Sequence, residues 1–279
     1  MKLYSNRFPF KIKSCILGIL LIAFLFLIEG CSGSSSESLP EKIESNDDDE
    51  PEDDSPYVIT LNLRVHLMQD IVMPHSTGID MESWVTPEDV TETIMPEVNA
   101  IWEQANIIWN IESIIEEDVV KGDNYEASIK FIASTQRDDN GNSDPERLPH
   151  LYALMQPEFM STEAELGENL FHIYMFPFIG NTSQGNAMSG FNYHSVVGTW
   201  TNKHNGGGVP EKTLLTESKT SFDRGSLSRT ISHEIGHVLG LSHNDCSYGC
   251  LMGGVYTDGY ALNEGQILVS RLEALDRSF

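Results

Sequence analysis

Basic residues are scarce in this sequence. Its 279 residues include 17 Lys and Arg but 42 Asp and Glu, so the formal net charge is −25 at pH 7. Proteins that bind nucleic acid use Lys and Arg to displace the counterions of the phosphate backbone, and an acidic surface repels that backbone. The composition therefore argues against nucleic acid as a partner.

Long apolar stretches are absent as well. The longest unbroken apolar run is residues 15–28, and its 14 residues fall short of the ~20 that a membrane-spanning helix needs. Hydrophobic residues make up 40% of the chain and aromatic residues 9%, which are ordinary values for a globular protein. A multi-span membrane protein, a collagen-like repeat and wholesale disorder are thus excluded, and part of the chain must fold around a core.

The apolar run lies in a targeting segment at the start of the chain. Four basic residues precede it, and Ile28-Glu29-Gly30-Cys31 ends it. A basic stretch and a short apolar core are typical of a signal peptide. The end resembles a bacterial lipobox, in which a small residue precedes the Cys that is lipidated after cleavage, although Glu29 departs from that pattern. We expect residues 1–30 to be a lipoprotein-type signal peptide and Cys31 to be lipidated; an ordinary cleaved signal and an uncleaved anchor are the alternatives.

A lipidated Cys31 would hold an exported protein in the bacterial cell envelope, because two or more acyl chains anchor a protein stably in a membrane. This predicts a lipid anchor in the outer membrane, with the domain facing the periplasm or the exterior. Residues 31–56 would then be a tether: they are Ser-rich at first and contain ten acids and one Lys, and like charges keep such a segment extended. A calcium-sequestering tail and an export signal are the alternatives for this stretch.

Cysteine is rare too, with four in the chain. Cys15 lies in the signal and Cys31 in the lipobox, which leaves Cys246 and Cys250. Two cysteines so close together can oxidise outside the cytoplasm, so we expect a disulfide between them. Free thiols and an additional metal site are the alternatives.

The folded part, residues 57–279, starts with apolar and polar residues that alternate with the period of a half-buried strand. Thr86, Pro87 and the acids after them predict a helix start, and the helix extends to about Gln104 with a kink at Pro96. Further strands are expected at 107–111, 127–132, 170–176 and 195–201, and a last helix at 263–275. These elements predict one α+β domain, with a net charge of −19.

Residues 138–144, DDNGNSD, place oxygen-bearing side chains around a glycine. A calcium loop has this alternation, but the bidentate Glu that ends an EF-hand loop is lacking. A solvated turn built on Asx hydrogen bonds is the simpler interpretation. Ca²⁺ is therefore an alternative for this loop.

Residues 226–243, SLSRTISHEIGHVLGLSH, contain the residues suited to chemistry. Their apolar side chains recur at helical spacing on one face, and His233 lies about 200° away from that face. His237 follows four residues later, so the two imidazoles lie one turn apart and can converge on one ion. Glu234 is displaced by about 100° from His233, where a general base can reach a water on that ion.

A continuing helix would carry His243 out of reach of the same ion. Gly240 lies where a helix commonly ends in a left-handed residue, and a reversal there can return His243 as a third ligand, which makes a Glu ligand such as Glu264 unnecessary. Three neutral imidazoles leave zinc one open position for a water, whose pKa the metal lowers to about 7. The complete pattern HExxHxxGxxH is specific, because its chance occurrence in this chain is below roughly 10⁻⁴. The remaining histidines are expected to be ordinary core or surface residues: His66, His75, His150, His172, His194 and His204.

The pattern resembles the zinc signature of the metzincin metallopeptidases. The resemblance implies a catalytic base and three zinc ligands at Glu234, His233, His237 and His243. It also implies a methionine turn beneath the zinc, and Met252 is the matching residue. The spacing of nine residues from His243 to Met252 is similar to that of the matrixin-like branch, whereas Gly254 replaces the Tyr of astacin-like members.

The resemblance implies a fold and a function. The fold would be a twisted mixed sheet with a long helix, a zinc-binding active-site helix and a small C-terminal subdomain. A protein or peptide substrate would lie as an added strand along an edge strand near residues 187–191. The implied function is a zinc-dependent endopeptidase with one catalytic Zn²⁺, which hydrolyses peptide bonds by metal-activated water. The presence of Glu234 favours this enzyme over the alternative, a catalytically inactive zinc-containing module for surface binding or adhesion.

Overall fold

The alternating segment after Tyr57 forms a long strand that has a neighbouring strand on each side in a five-stranded sheet. The computed structural model describes residues 57–134, 147–155, 170–180, 185–187, 194–201, 211–212, 226–243, 249–253 and 259–277. The strands are β1 Ile59–Gln69, β2 Val72–Pro74, β3 Asp80–Glu82, β4 Ile107–Asp118, β5 Leu170–Phe176, β6 Gly185–Ala187, β7 His194–Gly198, β8 Trp200–Thr201 and β9 Glu211–Lys212. The helices are α1 Pro87–Asp89, α2 Met95–Trp102, α3 Tyr125–Ser134, α4 Arg147–Tyr152, α5 Leu227–Val238 and α6 Glu264–Asp276.

The sheet has the order β4-β1-β5-β7-β6. Strand β1 pairs in parallel with β4 and β5, and β5 pairs in parallel with β7. Only β6 is antiparallel in the described sheet, where it forms an edge beside β7. The mixed sheet, with α5 and α2 packed against each other and α6 at the chain end, makes this an α+β metzincin-like domain, as the sequence predicted.

One face of β1 supplies the main core. Its five alternating apolar side chains are at most 2% exposed: Ile59, Leu61, Leu63, Val65 and Leu67. They pack with Val98, Ile101 and Trp102 of α2 and with Ile231 and Ile235 of α5. Burial of this stripe therefore fixes the active-site helix predicted from the motif against the sheet.

The predicted helix at 86–104 is confirmed, and its kink takes the form of a π turn. Thr86 and Asp89 form a reciprocal capping box before α1. The π turn Val90–Ile94 separates α1 from α2, and a 3₁₀ turn, Glu103–Ala105, ends the segment. Pro96 has no N–H for the carbonyl four residues earlier and its ring crowds that carbonyl, which is a common cause of such a local widening. The buried hydroxyl of Ser228 in α5 donates to the carbonyl of Ile94, at 3.1 Å.

Three strand predictions need correction. Residues 127–132 belong to α3, because the buried residues Ser128, Ile129 and Ile132 lie on one helical face and do not alternate. Strand β4 continues beyond 111 to Asp118 because it stays paired with β1. The strand expected at 195–201 is two strands, since β7 ends at Gly198 and Trp200 pairs with β9. The last helix is confirmed as α6, with Asn263 as its N-cap.

Several sequence predictions lie outside the described residues. They are the signal peptide 1–30, the lipidated Cys31, the tether 31–56 and the calcium loop 138–144. Among the described helices, none has the length and apolar character needed to cross a membrane.

The second face of the sheet buries a row of parallel aromatic rings from three neighbouring strands. His66, His172 and His194 are at most 2% exposed. The rings of His172 and His194 stack with centroids 4.6 Å apart, and His66 stacks on Tyr174 at 4.2 Å. Among the described residues, His66, His172 and His194 do not belong to the group whose ligand atoms lie close enough together to hold a metal ion. This row, the histidine ladder, is not a second zinc site.

A hydrogen-bond chain fixes the protonation of the ladder. His66 Nδ1 donates to the Glu117 carboxylate at 3.0 Å, so the neutral His66 Nε2 accepts from His172 Nδ1 at 2.8 Å. Burial lowers the pKa of His172 to about 2, with His194 and His66 as further causes, besides a contribution from Arg64. Burial also lowers the pKa of His66, although Glu117 and, more weakly, Glu112 oppose this shift. The ladder therefore favours neutral imidazoles.

Acid should weaken the domain through this ladder. His172 stays neutral in the fold but protonates below about pH 6.5 once unfolded, so the unfolded state binds the extra proton. The free energy of unfolding should fall by about 1.4 kcal/mol per pH unit from this residue as pH drops below 6.5. His172→Phe keeps a flat ring without titration and should flatten the slope by about one proton. Urea unfolding between pH 4.5 and 7 measures both slopes, and equal slopes would contradict the assignment. The slope is the readout because losing the His66 hydrogen bond lowers stability at every pH.

Candidate metal centre

Helix α5 ends where the motif predicts. Gly240 has φ +79, and the N–H of Leu241 donates to the carbonyl of Gly236 at 2.9 Å. The N–H of Gly240 donates to the carbonyl of His237 at 3.0 Å. These two bonds form a Schellman motif, in which a left-handed residue reverses the chain and satisfies the last helical carbonyls. The reversal directs His243 back toward the helix.

Three histidine nitrogens meet at this reversal. His243 Nε2 lies 2.9 Å from His233 Nε2 and 3.0 Å from His237 Nε2. One nitrogen has at most one N–H and cannot donate to both neighbours, so hydrogen bonding alone does not account for the cluster. Tetrahedral zinc with Zn–N distances of 2.0–2.1 Å separates its nitrogens by about 3.3 Å, close to this spacing. In the described part of the chain, these histidines form the group with ligand atoms close enough to hold a metal ion.

The opposite ring nitrogens fix the orientation of two of these imidazoles. His233 Nδ1 donates to the carbonyl of Leu251 at 2.7 Å, and His237 Nδ1 donates to the carbonyl of Leu241 at 2.8 Å. A carbonyl only accepts, so both Nδ1 atoms are protonated and both Nε2 atoms present lone pairs. Backbone carbonyls orient histidine ligands in this way at many metal sites.

The environment also keeps these imidazoles neutral. Burial lowers the pKa of His233 to about 3, and the neighbouring His237 is the second cause. Burial lowers the pKa of His237 as well, although the bond to the Leu241 carbonyl opposes the shift. A histidine must be deprotonated at the ligating nitrogen to bind a metal, so the residues present suit zinc at neutral pH.

Glu234 lies between the first two histidines on α5 and is 5% exposed. It is not a member of the histidine cluster. Glu264, the candidate for a rival ligand set, is exposed at the start of α6 and is also not a member. Helix α5 packs against β7 and the edge strand β6, so the edge lies beside the helix that supplies Glu234.

Met252 lies directly beneath the active-site helix. It is fully buried in a turn closed by the Gly253 N–H and the Cys250 carbonyl, 3.3 Å apart. A Cβ added at Gly236 would overlap Met252 Sδ and lie 3.1 Å from its Cε. The sequence analysis missed Gly236, although a glycine inside a helix is the signal for such a close approach.

Cys250 is disulfide-bonded and 7% exposed. Its expected partner, Cys246, lies outside the described residues. The disulfide therefore reaches the residue two positions before Met252, at the start of the methionine turn.

The contact between Gly236 and Met252 gives a test in which helix propensity and packing predict opposite results. Ala is favoured over Gly inside a helix by up to about 1 kcal/mol, but overpacking a core costs about 1–3 kcal/mol. We expect Gly236→Ala to lower the free energy of unfolding in urea. Met252→Ala alone removes a fully buried side chain and should also destabilise the domain, but the double variant should lose less than the sum of the two single losses, because the two residues are in contact. Gly122→Ala is the control, since its nearest atom would be 3.9 Å away. A more stable Gly236→Ala variant would contradict the packing argument.

Comparison with known proteins agrees with this geometry. The model of the metallo-peptidase family M12B, reprolysin-like, matches residues 95–244, which is more than half of the chain. No curated protein sequence matches.

Two solved structures are similar at low identity. A chain described as "Structure of a chaperone-substrate complex" is 14% identical with a TM-score of 0.39; the match covers 79% of this chain and 35% of that one, so this chain spans about a third of its length. A zinc-dependent peptidase from Methanocorpusculum labreanum is 13% identical with a TM-score of 0.35, over 75% of this chain and 99% of the other. On the family match, the chain belongs to the M12B reprolysin-like metallopeptidases.

Proposed function

We propose that the protein is a zinc-dependent endopeptidase that hydrolyses peptide bonds in proteins. The main support is the convergence of three histidines: His233 Nε2 and His237 Nε2 each lie within 3.0 Å of His243 Nε2, and backbone carbonyls orient two of the rings. Membership of a metallopeptidase family supports a zinc-dependent peptidase in general terms. His233, His237 and His243 would hold the ion.

Glu234 is proposed as the general base. A zinc ion held by the three histidines would polarise the scissile carbonyl and make water a stronger acid. The Glu234 carboxylate takes a proton from the attacking water and later delivers it to the leaving amine, so that water adds across the C–N bond. Its position on α5 next to His233, together with its burial, supports this role over that of a solvated surface acid.

The edge strand β6 is the proposed substrate-binding edge. It pairs on one side with β7, and an extended peptide can add to the other side through main-chain hydrogen bonds. Ala187 is the described residue of the edge predicted at 187–191; the remainder lies outside the described residues. The matrixin-like branch stays a prediction, based on the spacing from His243 to Met252. The family match does not support a calcium ion, and the candidate loop 138–144 lies outside the described residues.

Two substitutions separate the base from the ligands. Glu234→Ala should leave the zinc stoichiometry near one while peptide hydrolysis falls by about 10²- to 10⁴-fold, the usual loss with a general acid–base. His237→Ala should lose both metal and activity. Metal analysis and hydrolysis of a peptide library measure the two effects, and Glu264→Ala, an exposed acid outside the cluster, is the control for surface charge.

The outcomes distinguish the two functions. Comparable hydrolysis by Glu234→Ala and wild type would refute the mechanism. Full zinc occupancy of the wild type without hydrolysis of any peptide pool would favour the inactive binding module.

We also propose that the protein is exported and anchored by lipid on Cys31. The support is the sequence alone: a basic start, a 14-residue apolar run and Gly30-Cys31 at its end. Cys31→Ser should release a membrane-associated protein into the soluble fraction or block its processing, because the lipid would have no attachment site. Fractionation followed by immunoblotting measures this, and a wild type that is already soluble would refute lipidation.

A further inference from the structure

We propose that Arg229 is a positioning residue for the metal centre, an inference that rests on the proposed function. Arg229 lies one turn before His233 on α5 and is 6% exposed. Its Nε donates to the carbonyl of Gly259 at 2.7 Å, and its Nη2 donates to the carbonyl of Leu251 at 3.4 Å. One guanidinium therefore links the active-site helix to two separate segments, at Leu251 and at Gly259.

The carbonyl of Leu251 connects this arginine to the metal ligands. The same oxygen accepts the Nδ1–H of His233 at 2.7 Å. The N–H of Leu251 donates to the carbonyl of Ala261 at 2.9 Å, so the residue is held at both ends of its backbone. Any movement of this carbonyl changes the direction in which His233 Nε2 points. Arg229 thus acts on the ligand through Leu251 and has no need to touch the ion.

The other acceptor, the carbonyl of Gly259, lies where two backbone segments touch. A Cβ at Gly259 would overlap the carbonyl group of Gly249, so the two backbone segments are in direct contact there. Gly249 accepts from the N–H of Ala261 at 3.3 Å. Arg229 therefore bonds both to Leu251, inside the methionine turn, and to Gly259, where the neighbouring segment contacts Gly249.

A packing role alone does not account for an arginine at this position. A buried guanidinium loses hydration that an apolar side chain of similar length would not need to replace. Its planar fork, however, can donate to two carbonyls at once, which neither methionine nor lysine can do in the same way. The chemistry of the side chain therefore matches the two acceptors.

Arg271 provides a matched control. It also donates to two backbone carbonyls, those of Ala105 at 2.6 Å and Tyr57 at 2.8 Å, but these lie in the 3₁₀ turn and at the start of the domain. Replacing it removes the same kind of contact without touching the segment from 249 to 261. A general loss of stability should appear in both variants, whereas a loss of metal-ligand geometry should appear in one.

The experiment compares Arg229→Met, Arg229→Lys and Arg271→Met in the full chain. Zinc affinity is measured by competition with a chelator, and ligand geometry by the visible spectrum of the Co²⁺-substituted protein, at a temperature where circular dichroism shows each variant folded. We expect Arg229→Met to bind zinc about 10- to 100-fold more weakly, the usual effect of losing an outer contact to a ligand, and to shift the Co²⁺ bands. Arg229→Lys should be intermediate, and Arg271→Met should match wild type in both measurements.

Wild-type zinc affinity and an unchanged Co²⁺ spectrum in Arg229→Met would overturn the proposal, as would equal losses in Arg271→Met. If Arg229→Met does not fold, Arg229→Lys decides by the same two measurements. Neither readout needs a substrate. A wild type that binds zinc but cleaves no peptide would therefore refute the proposed function and leave the role of Arg229 open to the same test.

Discussion

The metal centre depends on one backbone reversal, the left-handed turn at Gly240. The helix supplies His233 and His237 one turn apart, but two imidazoles define neither a closed ligand set nor the direction of the open position. The Schellman bonds at residues 240 and 241 end α5 at the right place to return His243 to within 3.0 Å of both. They also position the Leu241 carbonyl as the acceptor for His237 Nδ1, so the turn that delivers the third histidine orients the second.

The methionine turn orients His233 through a backbone carbonyl, in the same way that the Gly240 turn orients His237. Leu251 offers its carbonyl to His233, while the side chain of Met252 fills the space that Gly236 leaves open on the underside of α5. Each turn thus provides one backbone carbonyl that accepts the Nδ1–H of a histidine on α5. The disulfide is attached at Cys250, the first residue of the methionine turn. Both turns are hydrogen-bonded to α5, the helix that carries His233 and His237.

Sequence patterns predicted most of the strands, helices and caps that depend only on neighbouring residues. The alternation after Tyr57, the capping residues at Thr86 and Asn263, and the helical spacing around His233 each specify an element without help from distant residues. The α3 segment was misassigned because a short apolar run fits a strand or a helix equally well until its neighbours are known. Contacts between distant segments, such as Arg229 with Gly259, are not encoded in any spacing.

The histidine ladder shows the same limit, because His66, His172 and His194 are far apart in sequence and meet only through the strand order β1-β5-β7. The same strands contribute alternate residues to the two faces of the sheet. Along β5, Phe171, Ile173 and Met175 face the core beneath α5, and the alternate residues His172 and Tyr174 belong to the ladder. His194 opens β7, whose next residue, Ser195, pairs with Ala187 of the edge strand. Stacking on the ladder face therefore holds β7, the strand that pairs with the proposed substrate edge β6 and packs against α5, the helix that carries His233 and His237.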